Sequence, residues 1–366
     1  MLVKEGQLSR VTIQGYKSIK DCDIELGRIN VLIGSNGAGK SNFISAFELL
    51  QNILSKNLQV KSAQIGINSL FYNGIKHTEE ISMEVFFGNN SYGFVLIPTD
   101  DNRIIFKKEF YGYHGWWENE SNIARGNSES MWDSGVNNNI DQYVTPILSR
   151  QNWRVYHFHD TSRGSRMKQE HNISNNTALQ LDASNLAAFL YRLKNQFSRN
   201  YNDIVQTVKL IAPFFDDFIL EPQEYNEELI VLRWKQRGCE DVFNASQLSD
   251  GTLRFICLTT LLLQPDKLQP DTIIVDEPEL GLHPHAITMF AEMVRQISAE
   301  KQIIISTQSV ELLNEFDVED VIVVDRNGKG SEFRRLEEEE LSIWLEEDYA
   351  LGDLWKKNIL GGNRSK

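Results

Sequence analysis

The most constraining feature of the sequence is a glycine-rich segment, Gly34-Ser-Asn-Gly-Ala-Gly-Lys-Ser41, which fits the pattern G-x-x-x-x-G-K-[ST]. The apolar run at 29–33 predicts a buried strand before it, and the apolar spacing over 43–50 predicts a helix after it. Glycine lets backbone N–H groups approach phosphate oxygens, and a helix N-terminus favours negative charge. The segment therefore predicts a phosphate-binding loop between a strand and a helix.

The residue types of this loop predict individual roles in binding a nucleotide. Lys40 is predicted to reach the β- and γ-phosphates, and Ser41 is predicted to ligate Mg²⁺. The other predicted nucleotide contacts of the loop are Asn36, Gly37, Ala38 and Gly39.

A second predicted site lies at the end of the apolar strand 273–275, where Asp276 and Glu277 are followed by a proline. Such a strand directs Asp276 at a metal ion, directly or through water, and Glu277 can polarise an attacking water as a general base. A strand that merely ends in surface acids is the alternative, and the phosphate-binding loop makes it the weaker one. Glu279 is either a neighbour of the metal site or an exposed acid, and an exposed acid is the favoured expectation.

The segment Leu248-Ser-Asp-Gly-Thr-Leu-Arg254 begins shortly before the acidic strand. A serine and a glycine that open a helix form an anion site without a lysine. Any capped helix start has a similar pattern, so the residues alone are a weak signal. The position of the segment upstream of Asp276 is what indicates a nucleotide site. We expect Ser249 and Gly251 to bind nucleotide.

Together these motifs resemble those of the ATP-binding-cassette (ABC) ATPase superfamily. The resemblance implies an α/β fold: a P-loop NTPase head of ABC type with a mixed sheet, an antiparallel β-subdomain and a helical insertion. It implies ATP and Mg²⁺ as cofactors and a homodimer, or a higher assembly, with two ATP sites. Ser249 and Gly251 would then touch the nucleotide held by Lys40 of the partner subunit.

Within the superfamily the sequence resembles the RecF, SMC and OLD-like branch, including short bacterial ATPases related to phage-defence systems. Asn42 follows the loop serine as in that branch, and Lys17 and Ser18 match its N-terminal segment that reaches the nucleotide. The segment 276–284 resembles its acidic strand and dimer-contact loop. Both ends of the chain, about 1–55 and 245–326, carry the resemblance.

Two departures from the family pattern bear on catalysis. Gln308 replaces the histidine that many relatives carry after the sensor strand, and glutamine can hydrogen-bond a γ-phosphate without becoming charged. We therefore expect slow hydrolysis, typical of a switch. No clear glutamine loop follows the middle strand, where His159 and Asp160 stand instead. His159 or Asp160 is expected to contact metal or water there, with Asp160 as the predicted metal ligand, although a strand end with partly exposed polar groups explains the segment equally well.

The predicted organisation is one ATPase head divided by an insertion. Four regions are expected: 1–111, a first ATPase lobe with the loop and antiparallel strands over 79–111; 112–244, an insertion of helices and strands; 245–330, a second lobe; and 331–366, an acidic tail that packs on the head. Residues 112–141 lack a sustained period and are predicted to be a loop. Three tryptophans in it could stack on bases or hold the loop to the core: Trp116, Trp117 and Trp132.

Charge and composition limit the function classes. With 37 basic and 51 acidic residues the net charge is −14, which disfavours coating nucleic acid by bulk charge but leaves a local groove possible. The longest apolar stretch, 255–263, is too short for a membrane helix, and three scattered cysteines fit a reducing compartment, so a cytoplasmic protein is expected.

Three functions fit these features. The first is an ATP-dependent switch for an effector in phage defence or DNA maintenance, with any nuclease acting in trans because too few residues follow the last strand for a fused domain. The second is an ATP-gated DNA clamp without an effector. Its candidate contacts are Arg163, Arg166, Lys168, Arg233, Lys235 and Arg237, which could equally be solvated charges. The third, disfavoured by Asn42, is a transporter ATPase subunit.

Overall fold

A computed structural model describes residue 4 and residues 6–115, 118–133, 141–149, 153–346 and 349–361. The strands are β1 (Arg10–Tyr16), β2 (Ile19–Glu25), β3 (Ile29–Ile33), β4 (Ile81–Phe87), β5 (Asn90–Pro98), β6 (Ile104–His114), β7 (Glu118–Ala124), β8 (Trp153–Tyr156), β9 (His171–Asn172), β10 (Phe215–Ile219), β11 (Pro222–Gln223), β12 (Asn226–Ile230), β13 (Arg233–Gln236), β14 (Val242–Asn244), β15 (Thr272–Asp276), β16 (Gln302–Thr307), β17 (Val321–Asn327) and β18 (Gly330–Arg335).

The helices alternate with these strands most regularly in the C-terminal third of the chain. They are α1 (Lys40–Leu54), α2 (Leu58–Ile65), α3 (Ile67–Leu70), α4 (Asp141–Ser149), α5 (Leu186–Gln196), α6 (Ser198–Ile211), α7 (Asp250–Leu263), α8 (Pro284–Ile297), α9 (Val310–Leu313), α10 (Glu338–Glu346) and α11 (Leu351–Lys356). Among them, α1 and α7 begin where the phosphate-binding loop and the 248–254 segment predict helices. In the described parts of the chain, no helix is both long and apolar enough to cross a bilayer.

The chain divides into two compact units. The first unit comprises residues 1–155, 271–274 and 300–366, and the second comprises 156–270 and 275–299. Each unit combines segments that are distant in the chain. The limits of the units therefore differ from the predicted limits of the four regions, at 112, 245 and 331.

An antiparallel sheet in the first unit has the strand order β2-β1-β4-β5-β6-β7. Alternate residues of its strands, such as Val11 and Ile13 in β1, are buried in one hydrophobic core with apolar residues of α1. This confirms the antiparallel strands predicted over 79–111. The prediction of a loop over 112–141 is wrong in part, because β6 continues to His114 and β7 pairs with it. As an edge strand held by backbone hydrogen bonds, β7 needs no apolar period.

The second large sheet has the order β18-β17-β3-β16-β15-β8. Its central strand β3 is buried throughout and pairs in parallel with β16 and β17, whereas β18 is antiparallel to β17. This is the mixed sheet of the predicted P-loop NTPase head. Because β3 is central, the loop that follows it lies at the carboxyl edge of the sheet, where open α/β sheets bind ligands.

The second unit is built mainly from helices and two small antiparallel sheets. In it α6 packs against α5 and α7, and α7 packs against α8. The sheets have the orders β10-β13-β14 and β11-β12-β9. Helices and strands are also what the sequence predicts within the insertion over 112–244.

In the first unit, the last described helix, α11, packs against α9. Leu351, Leu354 and Trp355 of α11 are buried, and the N–H of Gly352 donates to Asn314 Oδ1 over 2.7 Å at the end of α9. The apolar face of this short helix therefore covers α9.

Candidate nucleotide site

The phosphate-binding loop runs from the end of β3 to the start of α1 and requires glycine at two positions for close packing. A Cβ added at Gly34 would lie 2.4 Å from the carbonyl oxygen of Val324, and one added at Gly39 would lie 2.1 Å from Ser331 Oγ. A Cβ at Gly37 would meet nothing within 4 Å. The loop is thus packed against β17 and β18 on one side and open above Gly37.

Lys40 is buried at the start of α1, with 4% of its surface exposed. Its Nζ donates to the carbonyl oxygens of Gly34 over 2.6 Å and Ser35 over 3.3 Å. The ammonium therefore lies within the loop, where its three donors can turn to phosphate oxygens. The Ser41 hydroxyl, next in the chain, is on an exposed residue, as a metal ligand requires.

A chain of hydrogen bonds supports the loop from the side of β18. Asn42 Nδ2 donates to Ser18 Oγ over 2.7 Å, Ser18 Oγ and Ser331 Oγ are 2.7 Å apart, and Ser331 Oγ donates to the carbonyl oxygen of Ala38 over 2.6 Å. Ser331 was not predicted, because no local motif marks it. Contact of Ser18 or Asn42 with nucleotide stays a prediction.

Lys17 has a left-handed backbone conformation, with φ of 48°. Its Nζ donates to Ser45 Oγ of α1 over 2.8 Å, and burial lowers the pKa of its ammonium. Lys17 is therefore fixed against the helix that the loop opens, and its predicted contact with nucleotide stays a prediction.

Gln308 follows β16 immediately, and the register places it near the loop. Thr307 of β16 pairs in parallel with Ile33 of β3, so Gln308 and Gly34 follow paired residues of neighbouring strands. Because the carboxyl ends of parallel strands share one edge of a sheet, the structure brings Gln308 and the phosphate-binding loop together.

At the end of β15, in the second unit, the Asp276 side chain is buried with 8% of the residue exposed. Its Oδ1 has no hydrogen-bond partner among the described residues. A buried carboxylate oxygen without a donor is suited to bind a cation, and Mg²⁺ prefers such oxygen ligands. The residue thus fits the predicted metal role. The expectation that Glu279 is exposed is wrong, because only 9% of it is accessible.

Glu277, the predicted general base, has a φ of 42°, which residues other than glycine rarely adopt. Such conformations persist when surrounding contacts hold them, and they concentrate at functional sites. The neighbouring contact is made by His159, whose Nε2 lies 2.8 Å from the carbonyl oxygen of Asp276.

Asp160, the other predicted metal ligand, makes a local contact. Its Oδ1 accepts the N–H of Ser162 over 3.1 Å, and hydrogen bonds from Ser162 lower the pKa of its carboxyl group. The carboxylate thus stabilises its own turn, and a metal role for Asp160 stays a prediction.

The 248–254 segment forms the capped helix start that its residue types predict. Ser249 is exposed and accepts the N–H of Thr252 over 3.1 Å at the beginning of α7. A Cβ added at Gly251 would lie 2.2 Å from the carbonyl oxygen of Gly281, in the loop that follows Glu279. Gly251 is therefore needed for the close approach of these two segments of the second unit.

Half of the six candidate DNA contacts lie near acidic side chains. Three of the cations lie near carboxylates: Arg166 at 3.6 Å from Asp182, Lys168 at 3.5 Å from Asp250, and Arg233 at 3.7 Å from Glu221. Trp132 Nε1 donates to the carbonyl oxygen of Leu54 over 2.9 Å, so this tryptophan holds its segment to the core. Trp116 and Trp117 lie outside the described residues.

Gly39, which is closely packed, and Gly37, which faces open space, provide a matched test of how the loop packs. We expect Gly39→Ala to lower the free energy of unfolding by about 2 kcal/mol or more, because backbone strain adds to the overlap with Ser331. Gly37→Ala, with a φ of 77° and open space, should cost only about 1 kcal/mol. Urea unfolding measures both, and equal losses would contradict the described packing.

Comparisons with known proteins identify the family and the fold. A family model described as "AAA domain, putative AbiEii toxin, Type IV TA system" matches residues 29–314. A search of curated protein sequences found no match. A solved Smc head domain with an extended coiled coil from Pyrococcus furiosus, bound to the C-terminal domain of ScpA, has a TM-score of 0.60 at 16% identity, covering 93% of this chain and 99% of that one.

Two further solved heads have similar scores. An SmcHead bound to the C-winged helix domain of ScpA has a TM-score of 0.57 at 18% identity, covering 92% of this chain and 99% of that one. A Smc head domain with a coiled coil and joint from Pyrococcus yayanosii has a TM-score of 0.55 at 13% identity, covering 93% and 99%. At these identities the likeness concerns the fold, an SMC-like P-loop head.

Proposed function

Because the chain belongs to the AAA-domain family matched over residues 29–314, we propose that it is an ATP-binding, slowly hydrolysing head that dimerises around ATP. The dimer acts as a switch for a partner effector in bacterial phage defence or DNA maintenance. The observation that carries the ATPase assignment is the phosphate-binding loop, open above Gly37, with the Lys40 ammonium bonded inside it.

The residues present fit ATP and Mg²⁺. Backbone N–H groups at the start of α1 and the Lys40 ammonium bind phosphate oxygens, and the Ser41 hydroxyl is the candidate metal ligand of the first unit. Asp276, whose Oδ1 has no hydrogen-bond partner among the described residues, is the candidate metal ligand of the second unit. When bound, ATP provides the phosphoryl group that is transferred and Mg²⁺ neutralises charge on the phosphate oxygens.

In hydrolysis Glu277 accepts a proton from the attacking water, and Gln308 donates a hydrogen bond to the γ-phosphate. A neutral glutamine stabilises developing negative charge less than a protonated histidine does. Turnover is therefore slow, and the ATP-bound form persists long enough for a partner to bind to it.

The dimer follows from the second anion site. Ser249 is exposed at the start of α7, where the helix N-terminus favours negative charge. We propose that Ser249 and Gly251 bind the nucleotide held by a second copy of the chain. Two of the solved heads of this fold are bound to a domain of ScpA, which supports a protein partner in general terms.

A mixing experiment tests the shared site. Ser249→Arg is expected to retain ATP binding but to lose turnover, because the new side chain blocks the anion site from a second copy. Lys40→Ala also loses turnover, because its own loop cannot hold nucleotide. Neither variant forms an ATP-bound dimer with itself, so in an equimolar mixture each dimer pairs one copy of each variant and has one intact site of two. Up to about half of wild-type turnover should therefore return.

The mixture also has a clear contradicting outcome. If the two variants together remain as inactive as either one alone, although Ser249→Arg binds ATP, the site is not shared between copies. Full wild-type turnover of Ser249→Arg by itself contradicts the proposal in the same way.

A further inference from the structure

The peptide bond between Asp276 and Glu277 joins the candidate metal ligand to the candidate general base. Glu277 has a φ of 42°, so its backbone needs support from outside the strand. The orientation of this peptide plane is coupled to ψ of Asp276 and φ of Glu277. The groups that hold the Asp276 carbonyl therefore help to hold the left-handed backbone conformation from which the Glu277 side chain projects.

His159 fixes that carbonyl. Its Nε2 lies 2.8 Å from the carbonyl oxygen of Asp276. A carbonyl oxygen can only accept, so Nε2 must carry the hydrogen and donate it. This contact links residues that are 117 positions apart, and it uses the histidine as a hydrogen-bond donor to the backbone.

Arg254 fixes His159 in turn. The guanidinium of Arg254, on α7, donates from Nε to the carbonyl oxygen of Phe158 over 3.0 Å and from Nη2 to that of His159 over 3.1 Å. Only 6% of Arg254 is exposed. A buried cation that donates to backbone carbonyls holds their segment firmly, because breaking these bonds leaves its charge uncompensated.

We propose that His159 is a positioning residue for Glu277, and that Arg254 links this support to the helix that begins with Ser249 and Gly251. Nucleotide that binds at that helix start then affects the peptide bond between Asp276 and Glu277, through Arg254 and His159. This role rests on the proposed ATPase function and adds to it a path within the second unit, from the α7 start to Glu277.

Three variants test the role of the His159 donor. His159→Ala removes the donor, His159→Gln replaces it with an amide N–H, and His171→Ala is a matched control, because His171 Nε2 also donates to a backbone carbonyl, that of Arg166, over 2.7 Å. Hydrogen–deuterium exchange of residues 277–282 is measured without nucleotide, together with the Kd for ATP–Mg²⁺ and kcat.

In His159→Ala we expect faster exchange over 277–282 and a kcat about 10-fold to 100-fold lower, with the Kd for ATP unchanged within about 2-fold. His159→Gln should restore much of the exchange protection and kcat, and His171→Ala should match the wild type.

Two results overturn the positioning role. One is wild-type exchange and kcat in His159→Ala; the other is an equal loss in His159→Ala and His159→Gln, because then the donor is not what matters. A wild-type protein that binds ATP without any turnover would overturn the proposed function instead, and it is recognised before any variant is compared.

Discussion

Lys40→Ala is expected to weaken ATP binding by about 100-fold, which corresponds to ~2.7 kcal/mol. The Lys40 ammonium is buried inside the loop and donates to the carbonyl oxygens of Gly34 and Ser35. Bonds from a charged donor to phosphate are each worth about 1.5–3 kcal/mol, and alanine removes them. Isothermal titration with ATP–Mg²⁺ measures the loss.

The control for this variant is Lys61→Ala, which removes the same charge from an exposed residue of α2. It should leave the Kd for ATP unchanged within about 2-fold, since exposed charges contribute little at ordinary salt. An unchanged Kd in Lys40→Ala, with the protein still folded by circular dichroism, would show that nucleotide binds elsewhere.

Glu277→Gln is expected to lower kcat for ATP by about 100-fold or more while the Kd for ATP stays within about 3-fold of the wild type. General-base catalysis typically contributes 10²–10⁴-fold, and an amide cannot accept the proton from water. Glutamine has nearly the shape of glutamate, so the left-handed backbone at φ 42° is preserved. Single-turnover measurements of ATP cleavage by chemical quench separate this effect from product release.

Glu292→Gln is the matched control, because it makes the same chemical change on an exposed residue of α8. Its kcat should equal that of the wild type. Hydrolysis at the wild-type rate in Glu277→Gln would refute the assignment of the general base.

The phosphate-binding loop could be predicted from the sequence because its requirements are local. A buried strand, closely packed glycines and a helix start follow one another within 41 residues of the N-terminus, and the structure has each of them at the predicted place. The same holds for α7, where the capping serine and the helix it opens are adjacent.

Ser331 and His159 could not be assigned their contacts in this way, because the partners are far apart in the chain. Ser331 supports the carbonyl of Ala38 from 293 residues away, and His159 supports that of Asp276 from 117 residues away. In each contact a side chain donates a hydrogen bond to a backbone carbonyl. Because every residue has a backbone carbonyl, the contact does not restrict the residue type of the acceptor. A single sequence therefore carries no signal for it.

The strand β7 illustrates a different limit. It lies at the edge of its sheet and consists mostly of polar residues. Its sequence therefore lacks the alternation of apolar and polar residues that predicts a strand. Backbone pairing with β6 alone defines it. Residue patterns predict strands that bury a face, and they miss strands that only complete a sheet.

The most direct test of an ATP-dependent switch is the oligomeric state of Glu277→Gln by sedimentation velocity. We expect a monomer with ADP–Mg²⁺ and a dimer with ATP–Mg²⁺, and Ser249→Arg introduced into the same chain should return the ATP-bound protein to a monomer. A Glu277→Gln protein that binds ATP yet sediments identically with ATP and with ADP would contradict the account.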